Sequence, residues 1–234
     1  MNMNVKIFAD GAKKDEIFEM NKRSYISGFT TNPTLMKKAG IKDYKAFSLD
    51  ILSQIKNKPI SFEVFSDDFK EMEKQALEIA SWGENVYVKI PITNTKGVSS
   101  KQIIKKLSEK KVRLNVTAIM TSEQVEEIMP SLKESRGAFI SIFAGRIADA
   151  GIDPLNTMIN SLKLLEQNEN LEMIWASPRE LYNVVQADEI GCHIITATSD
   201  ILNKLPTLGK DLNEFSLETV KMFYQDALEA GYKI

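Results

Sequence analysis

The amino-acid sequence predicts an α/β fold, a single (β/α)8 TIM barrel spanning residues 1–234, with residues 205–234 as a C-terminal helical extension. Two observations support this fold class. Eight short runs rich in Val, Ile and Phe alternate with amphipathic stretches, as in βα units. No linker or low-complexity tract separates them, as expected of one barrel. The alternative is a doubly wound open sheet, but the G-x-G-x-x-G turn of dinucleotide-binding sheets is absent after the first run.

Each predicted strand is a run of β-branched and aromatic residues bounded by turn-forming or charged residues. The predicted strands are residues 6–10, 24–31, 59–65, 85–91, 113–119, 138–143, 172–177 and 193–198. Several of these runs are apolar on both alternating faces. We therefore expect a parallel sheet whose outer face is covered by helices.

The predicted helices lie between these strands and after the last one. They cover residues 13–22, 43–56, 67–82, 99–111, 121–133, 153–168, 178–190, 199–204 and 215–231. Capping residues open three of them, at 66–68, at 121–123 and at Asp153-Pro154. Glycines that end helical stretches stand at positions 83, 191 and 231.

The composition is that of a soluble globular protein, with 43% hydrophobic and 26% charged residues. The 30 basic and 32 acidic residues argue against nucleic acid as a partner. No apolar run approaches the roughly 18 residues that a membrane span needs, and the first residues lead directly into a strand, so we expect a cytoplasmic protein. The single cysteine, Cys192, and single histidine, His193, lie in an apolar run, so we expect core packing and no disulfide or metal site.

Lys89 is set into the fourth predicted strand, with Val and Ile on both sides of it. Burying an ammonium costs several kcal/mol unless it is paired or loses its proton. A neutral amine attacks carbonyl groups, so one interpretation is a lysine that forms a Schiff base. The other is a lysine that pairs with a nearby acid or reaches water from the strand end.

Polar residues that are unusual in buried strands stand at or just after the C-terminal ends of nearly all the predicted strands. They are Asp10, Thr30, Thr31, Asn32, Glu63, Lys89, Asn115, Thr117, Ser141, Ser177, Thr196 and Thr198. The C-terminal ends of parallel barrel strands meet at one mouth, where such barrels hold their active sites. The pattern therefore predicts a polar site at that mouth.

Two arginines follow the sixth and seventh strands, Arg146 and Arg179, the second preceded by Ser177. Arginine side chains, a hydroxyl and free N–H groups at a helix start can bind phosphate without a glycine-rich loop. Two solvated arginines are the alternative. Their position after strands six and seven, where barrels commonly bind phosphate, favours the phosphate site.

Taken together, these residues resemble the transaldolase family, in particular its short-chain branch, which also contains fructose-6-phosphate aldolase. The ordered motifs are FAD at 8–10, GFTTNPT at 28–34, FEV at 62–64, VKIP at 88–91, NVT at 115–117, ISIFAGRI at 140–147 and ASPR at 176–179. The resemblance implies a (β/α)8 barrel, a Schiff-base lysine and no metal or organic cofactor. The family commonly has proline and an aromatic residue where this chain has Ile142 and Pro178.

The resemblance also implies roles for individual residues. Lys89 matches the lysine that attacks the ketose carbonyl, and Asp10 the acid that takes the proton of the C4 hydroxyl. Glu63 and Thr117 match the pair that holds a catalytic water. The residues expected to bind the dihydroxyacetone unit are Thr31, Asn32, Asn115, Ser141 and Phe143. Those expected to bind phosphate are Arg146, Ser177 and Arg179.

The resemblance further implies small sugar phosphates as substrates. In the aldolase branch the Glu63 position is usually Gln and the Phe143 position Tyr, whose hydroxyl could protonate the intermediate and release dihydroxyacetone. This chain has Glu and Phe, so a transaldolase acting on substrates such as fructose 6-phosphate and erythrose 4-phosphate is predicted. The alternatives are an aldolase of the lyase type and a sugar-phosphate-binding barrel without turnover.

The last predicted helix carries an apolar stripe at helical spacing, which needs a partner surface. Its members are Phe215, Leu217, Val220, Phe223, Tyr224 and Leu228. The stripe could pack on its own barrel. Short-chain members of the family form ring-like homo-oligomers through this helix, so the resemblance implies a homo-oligomer, a pentamer or a decamer.

Overall fold

The computed structural model of the protein describes residues 3–166 and 168–233. Within them, eight parallel strands form a closed barrel in which each strand pairs with the next. The first and last strands also pair, from Lys6 opposite Ile194 to Asp10 opposite Thr198. This pairing closes the sheet, so the predicted (β/α)8 barrel is confirmed and the open doubly wound sheet is excluded.

The eight predicted strands are all present, with ends shifted by at most two residues. The strands are β1 (Lys6–Asp10), β2 (Ile26–Thr30), β3 (Ile60–Glu63), β4 (Val86–Pro91), β5 (Leu114–Ile119), β6 (Ala138–Ile142), β7 (Leu171–Trp175) and β8 (Ile194–Thr198). The helices are α1 (Lys14–Asn21), α2 (Pro33–Lys38), α3 (Tyr44–Gln54), α4 (Phe69–Ala80), α5 (Lys101–Glu109), α6 (Ser122–Ile128), α7 (Ala144–Asp149), α8 (Leu155–Leu165), α9 (Tyr182–Glu189), α10 (Ser199–Leu202) and α11 (Leu212–Ala230).

The core lies on both faces of the barrel wall. Phe62, Val88, Ile90, Val116 and Ile140 are fully buried strand residues. Each fully buried apolar side chain of this size stabilises the fold by about 1.5–3 kcal/mol. The barrel interior and the helix-facing layer are therefore both apolar, and polar side chains occur mainly at the strand ends.

Helices α1 to α9 each bury part of their surface, and side chains fix where several of the helices begin. Asp68 caps α4 by accepting hydrogen bonds from the N–H groups of Lys70 and Glu71. Thr121 and Gln124 form a reciprocal capping box at the start of α6. These caps confirm the helix starts predicted near 67 and 121, because they satisfy N–H groups that have no partner inside the helix.

Two short helices were not predicted from the sequence, α2 and α7. Each starts within three residues of the end of a strand and has six residues, which is shorter than the window of about 11–18 residues in which helical periodicity is recognised. The predicted helix 121–133 was also too long. It ends at Ile128 and continues as a 3-10 turn, Met129–Leu132, because Pro130 has no N–H to extend the α-helical pattern.

Strand register brings polar strand-end residues beside each other. Asp10 pairs with Thr30 across β1 and β2, and Glu63 pairs with Lys89 across β3 and β4. The ladder continues from Lys89 to Asn115 on β5. The C-terminal mouth of the barrel is therefore lined by side chains from many strands.

The chain divides into two compact units, one ending at Leu202 and one beginning at Asn203. The first contains the barrel. The second contains a 3-10 turn, Leu205–Thr207, and α11, which Asp211 caps at its start and Gly231 ends with a left-handed backbone conformation. The predicted extension at 205–234 starts two residues after the observed boundary; its last residue lies outside the described residues.

Among the described residues, no helix combines the length and the apolar character needed to cross a lipid bilayer.

Candidate active site

A cavity of about 580 Å³ opens at the C-terminal mouth of the barrel. Its lining contains most of the residues that the sequence indicated as a site. Those lining residues are Asp10, Asn32, Glu63, Lys89, Thr117, Ser141, Phe143, Arg146, Ser177 and Arg179. The volume falls within the range of small-ligand pockets and is large enough for a phosphorylated sugar.

Lys89 is almost completely buried, with 5% of its surface exposed. Its Nζ donates a hydrogen bond to the main-chain oxygen of Thr31 at 2.9 Å and lies 3.3 Å from Glu63 Oε2. The structure therefore shows the ion pair that one interpretation of the sequence required. The same amine also lines the cavity, so the ion pair and a role in chemistry are compatible.

Two hydrogen bonds with Tyr44 fix the main chain of Glu63, in addition to the pairing of β3 with β4. The Tyr44 hydroxyl accepts a hydrogen bond from Glu63 N at 2.8 Å and donates one to Glu63 O at 3.0 Å. Burial raises the pKa of Tyr44, so this hydroxyl stays neutral and keeps its proton. The Tyr44 ring packs against Phe62, Phe65 and Trp82. A rigid aromatic cluster thus fixes the end of β3 next to Lys89.

Asp10 is partly buried at the end of β1, on the far side of β2 from Glu63. Its Oδ1 accepts a hydrogen bond from Thr30 Oγ1 at 2.8 Å, and its Oδ2 accepts one from Asn32 Nδ2 at 3.3 Å. Burial raises the pKa of Asp10 above its ordinary value, although Lys89 and these two hydrogen bonds oppose the rise. A carboxyl with a raised pKa is suited to both taking and returning a proton.

Asn32 also caps α2, since its Oδ1 accepts a hydrogen bond from Leu35 N at 2.9 Å. The amide therefore faces the helix with its oxygen and Asp10 with its nitrogen. Pro33 occupies the first position of the helix, where no N–H donor is needed. This arrangement explains the TTNP sequence locally: the cap that starts α2 also orients a donor into the site.

Thr117 lies at an irregularity of β5, where the register with β6 shifts. The following residue, Ala118, has a left-handed backbone with φ of 62°, which costs a non-glycine residue about 1–3 kcal/mol. Thr117 Oγ1 is buried and has no hydrogen-bond partner among the described residues. Because Thr117 lines the cavity and no described residue satisfies its hydroxyl, that hydroxyl is free to form a hydrogen bond to a group within the cavity.

Two predicted site residues do not line the cavity, Thr31 and Asn115. Thr31 directs its hydroxyl to the main-chain oxygen of Ser61 at 3.0 Å. Asn115 is fully buried, donates to Ser61 Oγ at 2.9 Å and accepts from Ser141 Oγ at 2.7 Å. Their side chains therefore form hydrogen bonds within the barrel and do not line the cavity. The main-chain carbonyl of Thr31 also accepts the hydrogen bond from Lys89.

The basic end of the cavity is built from β6, α7 and the loop after β7. Arg179 Nε donates to Asp149 Oδ1 at 3.0 Å, and Nη2 bonds to Asp149 Oδ2. Arg146 is exposed and has no salt-bridge partner in residues 3–166 and 168–233. One guanidinium is therefore partly neutralised and oriented, while the other is available to an anion.

Gly145 permits this end of the cavity to form. A Cβ at position 145 would lie 1.6 Å from the Ser177 carbonyl oxygen and 3.1 Å from Arg179 Nε. Ser177 itself has a left-handed backbone with φ of 59°. The close approach of α7 to the loop after β7 thus brings Arg146, Ser177 and Arg179 to one place.

The sequence over residues 7–234 matches the family described as Transaldolase/Fructose-6-phosphate aldolase. The chain belongs to this family. A "Probable transaldolase" of Dehalococcoides mccartyi is 37% identical over 203 residues, covering 86% of this chain and 90% of that protein. A "Probable transaldolase" of Thermoanaerobacter sp. is 34% identical over 232 residues, covering 98% of this chain and all of that protein. The protein is thus an enzyme of the transaldolase type.

Solved structures with low sequence identity share the fold. The crystal structure of 2,3-dimethylmalate lyase superposes with a TM-score of 0.54 at 10% identity, covering 99% of this chain and 85% of that chain. A flavocytochrome b2 mutant superposes with a TM-score of 0.57 at 12% identity, covering 84% of this chain and 56% of that chain. At such identities the likeness concerns the barrel alone.

Some lining residues of this transaldolase-family site were not assigned from the sequence. Asp200 lies at the start of α10, two residues after β8, and Thr34 and Leu35 come from α2. An acid directly after the eighth strand was a signal that the sequence offered for Asp200. The contribution of Tyr44 had no such signal, because an aromatic residue near a helix start is usually a packing residue.

Proposed function

We propose that the protein is a transaldolase that transfers a dihydroxyacetone unit from a ketose phosphate to an aldose phosphate through a Schiff base on Lys89. The main support is the buried Lys89 amine at the cavity wall, with the Glu63 carboxyl group on the neighbouring strand β3 and the Asp10 carboxyl group, from β1, lining the same cavity. Fructose 6-phosphate and erythrose 4-phosphate are the proposed donor and acceptor. Such a reaction belongs to the pentose phosphate pathway, and the proposed compartment is the cytoplasm.

The reaction begins when the Lys89 ammonium group passes a proton to Glu63 and the resulting amine attacks the C2 carbonyl of the ketose. The resulting carbinolamine loses water to give the iminium. We assign the handling of this water to Glu63, 3.3 Å from Lys89 Nζ, and to the unpartnered Thr117 hydroxyl. Glu63 accepts the proton that leaves the amine and returns one to the departing hydroxyl.

Carbon–carbon cleavage follows from the iminium. Asp10 takes the proton of the C4 hydroxyl, the C4 oxygen forms a carbonyl, and the C3–C4 bond breaks. The electron pair of that bond moves to C3 and then into the iminium, which gives an enamine on Lys89. The aldose phosphate product leaves. A general base in the correct position contributes roughly 10²–10⁴ in rate.

Transfer is the reverse sequence with a second aldehyde. C3 of the enamine attacks the aldehyde carbon of the acceptor, and Asp10 returns its proton to the new hydroxyl. Water then releases the ketose product from Lys89. Arg146, Ser177 and Arg179 bind the phosphate of donor and acceptor in turn, because guanidinium groups form charge-assisted hydrogen bonds to phosphate oxygens.

The second candidate is a fructose-6-phosphate aldolase, which releases free dihydroxyacetone after protonation of the enamine. Phe143 lines the cavity and carries no hydroxyl that could supply this proton. The enamine must survive until the acceptor binds, so the absence of a donor on this side chain favours transfer. A barrel that only binds sugar phosphates is less favoured, since binding does not need an unpartnered hydroxyl and two carboxylates around an amine.

Borohydride reduction in the presence of fructose 6-phosphate tests the proposal. We expect a covalent adduct on Lys89, located by peptide mass spectrometry, and product formation that requires an added aldose phosphate. Release of dihydroxyacetone without acceptor at the same rate would identify the aldolase instead. Absence of any adduct would leave the sugar-phosphate-binding barrel.

A further inference from the structure

We propose that Thr196 is a positioning residue that acts through Thr30 on Asp10 and directs the transferred proton to Asp10 Oδ2. The inference rests on the proposed function, because it concerns the acid–base step assigned to Asp10. The sequence placed Thr196 among the polar residues of the barrel mouth, but neither the sequence nor the resemblance gave it a role of its own. The inference is supported by side chains from three strands that form one hydrogen-bonded chain, the buried Thr196 and Thr30 and the partly buried Asp10.

The three side chains are in direct contact within the barrel. The hydroxyl oxygens of Thr196 and Thr30 are 2.6 Å apart, and Thr30 Oγ1 lies 2.8 Å from Asp10 Oδ1. Thr196 and Thr30 are 5% and 3% exposed, so water does not compete for these bonds. β8 and β2 flank β1 on either side, and alternate strands contribute side chains to the same interior layer of such barrels.

Counting hydroxyl protons gives the direction of this chain. When Asp10 acts as a base it is ionised, and a carboxylate only accepts hydrogen bonds. The single hydroxyl proton of Thr30 therefore points to Asp10 Oδ1. Thr30 has no second proton for Thr196, so the Thr196 hydroxyl must be the donor in the 2.6 Å contact. Thr196 thus fixes the Thr30 proton on Asp10.

This order distinguishes the two oxygens of the Asp10 carboxyl. Oδ1 accepts a short hydrogen bond from a hydroxyl that is itself polarised by Thr196, and such chains strengthen each member. Oδ2 accepts only the longer bond, 3.3 Å, from Asn32. Protonation of Oδ1 would compete with the stronger bond, so the proton from the substrate is received and returned at Oδ2.

Of the groups that act on Asp10, Thr30 forms a hydrogen bond with Thr196. Lys89 on β4 and Glu63 on β3 act on Asp10 through their charges, and Thr30 and Asn32 act through hydrogen bonds. The Thr30 bond lowers the pKa of Asp10, against the larger effect of burial, which raises it. Weakening the Thr30 bond should therefore raise the pKa of Asp10 and delay its ionisation to higher pH.

The test compares Thr196→Val, which keeps the shape and removes the hydroxyl, with Thr196→Ser, which keeps the hydroxyl. For the valine variant we expect kcat for C3–C4 cleavage to fall about tenfold, the loss of roughly one hydrogen bond. In the pH profile of kcat, the acid limb, over which activity rises as Asp10 ionises, should move to higher pH. KM and the rate of borohydride trapping with dihydroxyacetone should match the wild type, and the serine variant should restore the limb.

Three results would overturn the inference while leaving the proposed function in place. They are a valine variant with an unmoved acid limb, a serine variant as impaired as the valine variant, and a valine variant slowed in imine trapping. If the valine variant does not fold, Thr196→Cys, with a weaker donor, should shift the limb in the same direction, and an unmoved limb there also counts against it. Failure of the wild type to form an imine contradicts the proposed function itself.

Discussion

Lys89 is the residue whose two contacts most constrain the chemistry of the site. Its amine faces the Thr31 carbonyl and the Glu63 carboxylate, so proton transfer to Glu63 needs no movement of the main chain. We predict that Lys89→Met abolishes borohydride trapping of dihydroxyacetone and keeps the fold, since methionine has a similar size and is apolar. Far-UV circular dichroism checks the fold, and Lys101→Met, on the exposed surface of α5, is the matched control. Trapping that persists in Lys89→Met would move the nucleophile elsewhere.

Asp10, the proposed acid–base group, is also expected to lower the stability of the folded protein when it is ionised. Burial raises the pKa of Asp10 in the folded state above its unfolded value. The group therefore favours the fold when it is protonated, and this contribution is lost as pH rises through the folded pKa. We predict that Asp10→Asn raises Tm at pH 7, with a difference that vanishes below about pH 3.9, the ordinary pKa of aspartate.

The same variant should form the imine and still fail in cleavage, with kcat reduced by roughly 10² or more because the base is missing. Single-turnover kinetics with fructose 6-phosphate separates the two steps. Normal cleavage in Asp10→Asn removes Asp10 from the mechanism, and a lower Tm at pH 7 contradicts the burial argument.

Arg146 and Arg179 should contribute to the use of phosphorylated substrates. We predict that Arg146→Ala and Arg179→Ala each weaken kcat/KM for fructose 6-phosphate by about 1.5–3 kcal/mol, the value of a hydrogen bond to a charged group. Dihydroxyacetone as donor should be affected far less. Arg136→Ala is a control, because Arg136 precedes β6 at the opposite end of the barrel and pairs with Glu84. Equal losses with both donors would make the arginines structural.

At the level of elements, the strands were predictable, and so was the four-residue α10, but the short helices α2 and α7 were not. The eight apolar runs predicted the eight strands. The polar residues at the ends of these runs predicted the site at the mouth, because a parallel barrel brings all C-terminal strand ends to one side. α2 and α7 have six residues each, too few for helical periodicity to be recognised; the cap at Asn32 and Pro33 could have indicated α2, whereas α7 has no side-chain cap. Thr31 and Asn115 were placed at the correct strand ends, but sequence does not specify which side chains line the cavity and which support it.

The junction between α7 and the loop after β7 depends on Gly145. We predict that Gly145→Ala destabilises the fold by about 1–3 kcal/mol, because the added Cβ would lie 1.6 Å from the Ser177 carbonyl oxygen and must displace main chain. Displacement of this loop should also raise KM for phosphorylated donors. Thermal unfolding measures the first effect, with Gly11→Ala as control, since a Cβ at position 11 meets no atom within 4 Å. Equal stability of the two variants would contradict the predicted contact.

At the level of the whole molecule, the reactive groups of the site lie at one end of the barrel and a buried packing residue such as Cys192 lies at the other. Cys192, just before β8 at the end of the barrel opposite the mouth, is buried, and burial raises the pKa of its thiol to about 12. We expect this thiol to be inert towards alkylating reagents in the folded protein. The core prediction for Cys192 is thereby confirmed, and the reactive groups of the site lie at the mouth.

The unit that begins at Asn203 raises the question of assembly. The large apolar side chains of α11 are exposed in the single chain, among them Phe223 and Tyr224, with 61% and 66% of their surface accessible. Several large apolar side chains exposed on one helix are typical of an interaction site. We propose that α11 mediates a homo-oligomer, a pentamer or a decamer, in which a second copy of the chain covers this surface.

Light scattering of the full chain and of a variant that ends at Lys210, just before the cap of α11, tests this assembly. We expect the full chain to have the mass of five or ten subunits and the shortened chain a smaller one. Because every strand of the barrel precedes the truncation, circular dichroism of the shortened chain should retain the signal of the α/β barrel. Phe223→Ser should weaken the assembly, whereas Lys221→Ser, a polar position on the same helix, should not. A full-length monomer contradicts the proposal, and a large assembly that survives truncation moves the interface to the barrel.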